Sequence, residues 1–334
     1  MGVGLALVAA VLFGATVPLG KMLLGDLPPL ALAAVFYLGC GIGLAAIILV
    51  RRLCGYRTQF VPGHGLPFAL SLLSGGIVAP ILFTTGLART SSVSAALLLN
   101  LEVVFTIFLA RLVLREAVGG LRLMGMLLVV AGAAALGFSA HNLSSFSWRV
   151  GDWLVAGASL GWALDNILTR HIAHSDALVM ACVKGLVAGV VDLAILWGYG
   201  GGHGLPLAAA GAGLLVGFLG YGLSLVCFIL ALRTLGAART SSYFASAPFV
   251  GAGLALGFGQ ARVTPVLVLA SLLALFGIVL MIVNFDGGHR RWHRHTRGDS
   301  SHHHPNSVPR TFFGWHGHRR EGESDGRTSS VIIS

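Results

Sequence analysis

Apolar stretches of about 20 residues fill most of this chain, each bounded by charge, proline or glycine. A helix needs about 20 apolar residues to cross the hydrocarbon core of a bilayer. The stretches lie near residues 3–22, 30–50, 66–87, 91–113, 120–139, 152–172, 177–198, 208–232, 238–258 and 263–284. Only 10% of the 334 residues are charged, against about 25% in soluble domains. The sequence therefore predicts an all-α polytopic protein with ten transmembrane helices in a lipid bilayer.

The basic residues predict how these helices are oriented. If the N-terminus is inside, nine Lys and Arg residues fall on the inner side of the ten helices and four on the outer side. Eight more Arg follow residue 286. Because basic residues accumulate in cytoplasmic loops, both termini are predicted to be cytoplasmic. The charges lie singly between apolar runs and do not form a phosphate-binding face, so no nucleic-acid partner is predicted.

The chain also contains an internal repeat. The pentapeptide Ala88-Arg-Thr-Ser-Ser92 recurs as Ala238-Arg-Thr-Ser-Ser242, an offset of 150 residues, and Gly132 matches Gly277 at an offset of 145. We interpret residues 1–140 and 150–284 as two repeats of five helices. Because five is odd, the second repeat enters the membrane in the opposite orientation. Inverted repeats are typical of secondary transporters, whose substrate site lies near the midplane between the repeats.

Glu102 is a carboxyl group inside the fourth apolar stretch. A charge at the bilayer centre costs about 2.5–3.5 kcal/mol, and such residues usually face a bundle interior or a water-filled path. Removal from water favours the neutral form of a carboxyl group, so Glu102 is a candidate for exchanging a proton or for contacting a cationic substrate. The alternative is a structural carboxyl group, hydrogen-bonded to Asn100 or to a hydroxyl group on a neighbouring helix.

Asp165, Asn166 and Lys184 form a second polar group. Asp165 lies seven residues before the predicted end of its helix and Lys184 lies seven residues after the start of the next one. Their depths are therefore equal, which favours an ion pair that is either structural or part of the substrate path. Asp192 lies too far along the same helix to pair with Lys184, and we expect it to face the outer vestibule.

With these features, the chain resembles the drug/metabolite transporter superfamily, specifically its EamA-domain members. The resemblance covers residues 3 to 284. It is carried by Thr90-Ser-Ser92, Leu101-Glu102-Val103-Val104-Phe105, Glu116 and Gly132, by Thr240-Ser-Ser242, Ala247-Pro248-Phe249 and Gly277, and by Leu12-Phe13-Gly14-Ala15 beside Leu160-Gly161-Trp162-Ala163. It implies a multi-pass carrier of the bacterial-type inner membrane, often an exporter of amino acids, metabolites or drugs. A membrane-embedded enzyme would need a nucleophile and base or metal ligands inside the spans, and the sequence offers no clear set of either, so no enzymatic activity and no cofactor are expected. Val103 stands where proline is common, so we expect a straighter fourth helix.

Other residues are candidates for the cavity wall and for helix packing. Trp162, Tyr221, Tyr243 and Phe249 could line a cavity for an apolar or aromatic solute, although lipid-facing or interface placement is the more frequent fate of such rings. Pro18, Pro80 and Pro248 lie inside predicted helices, which they are expected to kink. Four small-residue pairs predict close helix contacts: Gly157 and Gly161, Gly185 and Gly189, Gly213 and Gly217, and Gly253 and Gly257.

The segment 285–334 differs from the rest, with eight Arg and eight of the 13 His. It is predicted to be a disordered cytoplasmic tail. His302, His303 and His304 are weak candidates for binding a metal ion, and otherwise no metal site is expected. Two alternatives to a solute exporter stay open: a flippase of lipid-linked sugars with the same fold, and a metal-handling membrane protein that uses the tail. A homodimer is a further open possibility.

Overall fold

The computed structural model describes residues 2–55, 65–113, 119–136, 148–172, 176–201 and 204–295. All the regular secondary structure in these ranges is helical, which agrees with the predicted all-α class. Contacts divide the chain into a compact unit, Met1–Arg291, and a C-terminal unit, Trp292–Ser334.

In chain order the helices are α1 (Gly2–Leu23), α2 (Pro29–Leu53), α3 (Gly65–Arg89), α4 (Ser92–Val113), α5 (Gly120–Ala135), α6 (Val150–Ile172), α7 (Ala177–Gly198), α8 (Leu207–Leu235), α9 (Ala237–Phe244), α10 (Ala247–Gly257) and α11 (Pro265–His295). Within the described ranges, seven are long and apolar enough to cross a membrane: α1 to α4, α7, α8, and α11 through its Pro265–Val283 part. The count of ten spans stays a prediction. Helix α5 has only 16 residues, α6 carries several charged residues, and two short helices replace the expected span at 238–258.

The outward-facing side chains of these helices are apolar. On α11, Leu269, Leu272 and Phe276 are each more than half exposed, as is Trp153 on α6. Soluble monomers rarely expose apolar surface this continuously. Such a surface fits contact with lipid chains.

Each of the three predicted proline sites follows an interruption of a helix. The first helix is broken at Ala15, ahead of Pro18. A π-helical turn, Leu72–Val78, precedes Pro80, and α9 ends just before Pro248. Because proline has no amide hydrogen, it cannot complete the helical bond of the preceding turn. Interruptions at these positions are therefore expected physically.

The expectation of a straighter fourth helix was wrong. Helix α4 is interrupted after Leu98 and resumes at Leu101, although no proline lies there. At the interruption the amide of Asn100 bonds the carbonyl of Leu97 at 3.1 Å, and the amide of Glu102 bonds that of Leu99 at 3.0 Å. Both bonds join residues three apart, so a tightened turn of 3₁₀ type replaces the α-helical ladder.

Features of the two halves recur at a spacing of 145 or 146 residues. The π-helical turns Leu72–Val78 and Phe218–Leu223 begin 146 residues apart. The N-caps of α4 and α9, Ser91 and Gly236, are 145 residues apart. The offset of 150 given by the repeated pentapeptide is therefore misleading. Its first copy spans the end of α3 and the start of α4, whereas its second copy lies inside α9.

Helix contacts also recur between the halves. Helix α2 packs against α7, and α5 approaches α11, where a Cβ atom on Gly125 would lie 2.5 Å from the carbonyl oxygen of Gly277. Helix α3 packs against α6, and its counterpart α8 packs against α1. Helix α4 packs against α6, and α9 and α10 pack against α1. If each helix is replaced by its counterpart in the other half, the α2–α7 and α5–α11 contacts stay the same, and each of the other contacts becomes one that is also present.

Three of the four predicted glycine pairs lie at close helix contacts. A Cβ atom on Gly185 would lie 2.5 Å from the amide nitrogen of Gly41 on α2, and one on Gly217 would collide with the carbonyl of Phe36. Gly253 and Gly257 have no atom within 4 Å of such a Cβ, so packing does not explain them.

The disorder of the segment 285–334 stays a prediction. Helix α11 is described as far as His295, beyond the predicted end of the last span at residue 284. Residues 296–334, with His302, His303 and His304, lie outside the described part of the chain.

Candidate functional site

A cavity with about 490 Å³ of empty space, open solvent included, lies among α1, α2, α4, α6, α8 and α9. The part that a water-sized sphere can occupy is about 60 Å³, below the usual range for a small-molecule site, about 300–1,000 Å³, so a larger solute requires the cavity to widen. Six aromatic side chains line it: Phe13, Tyr37, Trp162, Tyr221, Phe228 and Phe244. Its polar lining includes Glu102, Asp165, Asn166 and Ser224. Both halves of the chain therefore contribute to one largely aromatic cavity that contains two carboxyl groups.

Glu102 is the second residue of Leu101–Val113, the part of α4 that follows the interruption, and it lines this cavity. A carboxylate in the first turn of a helix interacts favourably with the positive end of the helix dipole. The side chain is buried, and its Oε1 accepts a hydrogen bond of 2.8 Å from Nδ2 of Asn166. The same Nδ2 donates to Oγ1 of Thr106 at 3.3 Å. No cation among the described residues pairs with Glu102.

Asp165, the neighbour of Asn166 on α6, belongs to a separate network. Lys184 of α7 forms an ion pair with its carboxylate. Ser71 of α3 donates to Oδ1 of Asp165 at 2.5 Å, and Thr169 donates to the same oxygen at 3.0 Å. Lys184 also donates to Oγ of Ser71 at 3.1 Å. The network joins three helices and satisfies a buried charge, as an intramembrane ion pair requires.

The carbonyl of Gly75 orients two of the aromatic rings. It lies in the π-helical turn of α3 and accepts hydrogen bonds from Tyr37 Oη at 2.5 Å and from Trp162 Nε1 at 3.1 Å. A Cβ atom at Gly75 would collide with the carboxyl group of Asp165. Glycine at this position therefore allows α3 and α6 to approach while its carbonyl holds two rings at the cavity.

The aromatic side chains form a continuous cluster around Phe13. Its ring centroid lies 5.4 Å from that of Trp162, 5.6 Å from that of Tyr221 and 5.3 Å from that of Phe244. Phe228 lies 4.9 Å from Phe244. Edge and tilted contacts at these distances are the favoured arrangements of aromatic pairs. Rings from α1, α6, α8 and α9 are thus held in one wall.

A second cavity, with about 270 Å³ of empty space, lies where the interruption of α4 faces the interruption between α9 and α10. Glu102 and Phe13 line both cavities, and Pro248 and Ser241 line the second one. The Ser241 hydroxyl is buried without a hydrogen-bond partner in the described part of the chain. Glu102 therefore stands between the two cavities.

Several predicted residues lie away from this arrangement. Neither polar group of the Asn100 side chain has a partner within the described ranges, and Asn100 lines neither cavity. The partner of Glu102 is Asn166, not Asn100, because the tightened turn separates the two residues of α4. Phe244 lines the cavities where Tyr243 was expected. Asp192 is fully buried with both oxygens unpartnered in the described structure, so the expectation of an outer vestibule was wrong.

Sequence reasoning missed Phe13, Tyr37, Ser71 and Thr169. The similarity of Leu12-Phe13-Gly14-Ala15 to the segment around Trp162 was an available signal for Phe13. Nothing in the sequence marks Ser71 or Thr169, because their role depends on how α3 packs against α6. Among the described residues, no group of three or more His, Cys, Asp or Glu could hold a metal ion.

Known proteins of similar sequence are named as transporters. A transporter from Methanothermobacter thermautotrophicus, named as uncharacterized, is 30% identical over 258 residues, which cover 73% of this chain and 75% of its own. YyaM of Bacillus subtilis, also named as an uncharacterized transporter, is 24% identical, and the match covers 81% of this chain and 87% of its own. YedA of Escherichia coli K12, named as an uncharacterized inner membrane transporter, is 27% identical, and the match covers 76% of this chain and 81% of its own.

Structural similarity and a family match agree with this result. A solved crystal structure with 18% sequence identity has a TM-score of 0.66 and covers 83% of this chain and 98% of its own, which shows a shared fold. The model of the EamA-like transporter family matches residues 1–138 and again residues 149–283. The chain therefore belongs to the EamA-like transporter family and is an integral multi-pass membrane protein.

Proposed function

We propose that this protein is a secondary-active exporter that binds a small solute in the aromatic cavity and moves it by alternating access. The observation that carries the proposal is the cavity itself, because residues from both halves line it. In transporters built from inverted repeats, the substrate site lies between the repeats. The relatives named as transporters support the same activity.

The proposed architecture is ten membrane spans in two inverted repeats, residues 1–140 and 150–284, with both termini in the cytoplasm. The double match of the family model supports two repeats. The recurring helix contacts support a two-fold relation between them. The excess of basic residues on the inner side supports the orientation.

We assign the exchange of a proton or of a cationic solute to Glu102. Asp165 has a cation, Lys184, whereas Glu102 has only the neutral amide of Asn166. Glu102 is therefore the lining carboxyl group whose charge can be compensated by a transported ion. Asp165 and Lys184 would hold α3, α6 and α7 together in one conformation and release them in the other.

The test is transport by the full chain and by a Glu102→Gln variant, in cells and in proteoliposomes with an imposed pH difference. The screen covers amino acids, toxic metabolites and cationic drugs. We expect the intact chain to lower the accumulation of at least one solute in a pH-dependent way, and Glu102→Gln to lose that dependence. Asp192→Asn is the matched control, since it neutralises a buried carboxyl group that lines neither cavity.

Two outcomes contradict parts of this proposal. Equal transport by the intact chain and by Glu102→Gln at every pH would reduce Glu102 to a structural role. No transport of any solute by the folded, reconstituted protein would contradict the exporter itself.

A further inference from the structure

The cavity leaves open two acceptor oxygens and the hydroxyl of Tyr221, which has no hydrogen-bond partner among the described residues. Nδ2 of Asn166 is occupied by Glu102 and Thr106, and the described residues supply no donor to Oε2 of Glu102 or to Oδ1 of Asn166. The hydroxyl of Ser224 donates to the carbonyl of Ala9 at 2.8 Å. The polar atoms of Tyr37 and Trp162 are engaged by a backbone carbonyl. A solute that complements these open oxygens carries N–H donors.

The cavity also contains a negative charge without a paired cation. Lys184 neutralises Asp165, and the oxygens of Asp165 are further engaged by Ser71 and Thr169. Glu102 then remains as a single negative charge. No Lys, Arg or His of the described residues lines the cavity. A solute carboxylate would therefore be desolvated beside Glu102 without a cation to pair with, which is unfavourable.

Aromatic faces complete the environment. Because the polar atoms of Tyr37 and Trp162 point to Gly75, these residues offer the cavity mainly their rings. Phe13, Phe228 and Phe244 add rings that have no polar atom. A cation within about 6 Å of such a ring is attracted by its quadrupole, and several rings around a carboxyl group form a cage for an ammonium group.

We propose that the cavity binds organic monocations, namely alkyl- or arylammonium compounds that carry no carboxylate. This inference rests on the proposed transport function and narrows it to one class of solute. It separates amines from the corresponding amino acids, because the two share the ammonium group and the apolar body but differ in the carboxylate that the cavity cannot pair.

The experiment compares 2-phenylethylammonium with phenylalanine, and tryptammonium with tryptophan, as matched pairs. Binding to the purified full chain is measured by thermal stabilisation, and uptake is measured in proteoliposomes. We expect each amine to bind at least about tenfold more tightly than its amino acid, since a carboxylate buried without a partner costs at least about that much in affinity. Glu102→Gln should weaken amine binding about tenfold, and Trp162→Leu about fivefold.

Asp192→Asn is again the control, and it should bind the amines as the intact chain does. Tighter binding of the amino acids, or amine binding that is unchanged in both Glu102→Gln and Trp162→Leu, would overturn the inference while leaving a transporter. Failure of every amine to bind folded protein would also overturn it. Transport of an anionic or neutral solute in the same proteoliposomes would then show that the proposed function survives alone.

Discussion

Removing one partner of the Asp165–Lys184 ion pair should destabilise the protein far more than removing both. The side chains are only 8% and 5% exposed, so either charge left alone is buried. Breaking a buried pair on one side costs about 3–5 kcal/mol, whereas replacing both partners by neutral groups is often nearly neutral. Stability measurements on variants of this pair therefore test the hydrogen-bonded network around Asp165 and Lys184.

The structure places the two single variants within that range. After Lys184→Met, Asp165 still accepts hydrogen bonds from Ser71 and Thr169, so we expect a loss of about 3 kcal/mol. After Asp165→Asn, Lys184 loses its counterion and keeps only neutral acceptors, such as the hydroxyl of Ser71, so the loss should approach about 5 kcal/mol. The double variant should lose only about 1 kcal/mol.

The assay is reversible unfolding of the purified protein in mixed micelles, followed by tryptophan fluorescence. Asp192→Asn serves as the control, because it removes a buried carboxyl group that has no partner in the described structure and should not lower stability. Single losses below about 1 kcal/mol that simply add in the double variant would refute the reasoning.

Two further predictions follow from the packing. Gly217→Ala should lower the unfolding midpoint, because its Cβ atom would collide with the carbonyl of Phe36. Gly253→Ala places its Cβ atom where no atom lies within 4 Å, so it should raise helix stability by about 0.5–1 kcal/mol. Equal effects of the two variants on the unfolding midpoint would contradict the helix contact at Gly217. In the double ion-pair variant, hydrogen–deuterium exchange should rise in the π-helical turn Leu72–Val78 and stay unchanged in Phe218–Leu223, and a rise in both turns would indicate general loosening instead.

Apart from the C-terminal end of α11, the apolar pattern located the helices to within a few residues, but it did not locate their interruptions. The proline positions were visible in the sequence, and each follows a break. The tightened turn at Leu99 and Asn100 was not visible, because it depends on local hydrogen bonds and on packing against α6. The substitution of proline by Val103 therefore gave the wrong expectation for α4.

The Asp165–Lys184 ion pair was predictable because it depends on how deep each residue lies in the membrane. Asp165 and Lys184 lie at equal distances from one loop, and they pair. The partner of Glu102 was not predictable, because it depends on which face of α6 meets α4. An error of one residue turns a helical position by about 100°, and for this reason Phe244, not Tyr243, reaches the cavity.

The two halves are equivalent in backbone but not in charge. At the contact of α3 with α6, Gly75 adjoins Asp165, and at the contact of α8 with α1, Gly220 adjoins Thr16 in the same way. The first contact includes the hydrogen bond from Ser71 to Asp165, whose charge is paired with Lys184 of α7, whereas Thr16 donates to the carbonyl of Phe13 on its own helix. If alternating access exchanges the conformations of the halves, opening the first contact must remove a hydrogen bond from the charged Asp165 and opening the second need not. A solute cation beside Glu102 changes the charge balance next to Asp165. The solute can thus favour one conformation only through its different interaction with the two, which is what a coupled carrier requires.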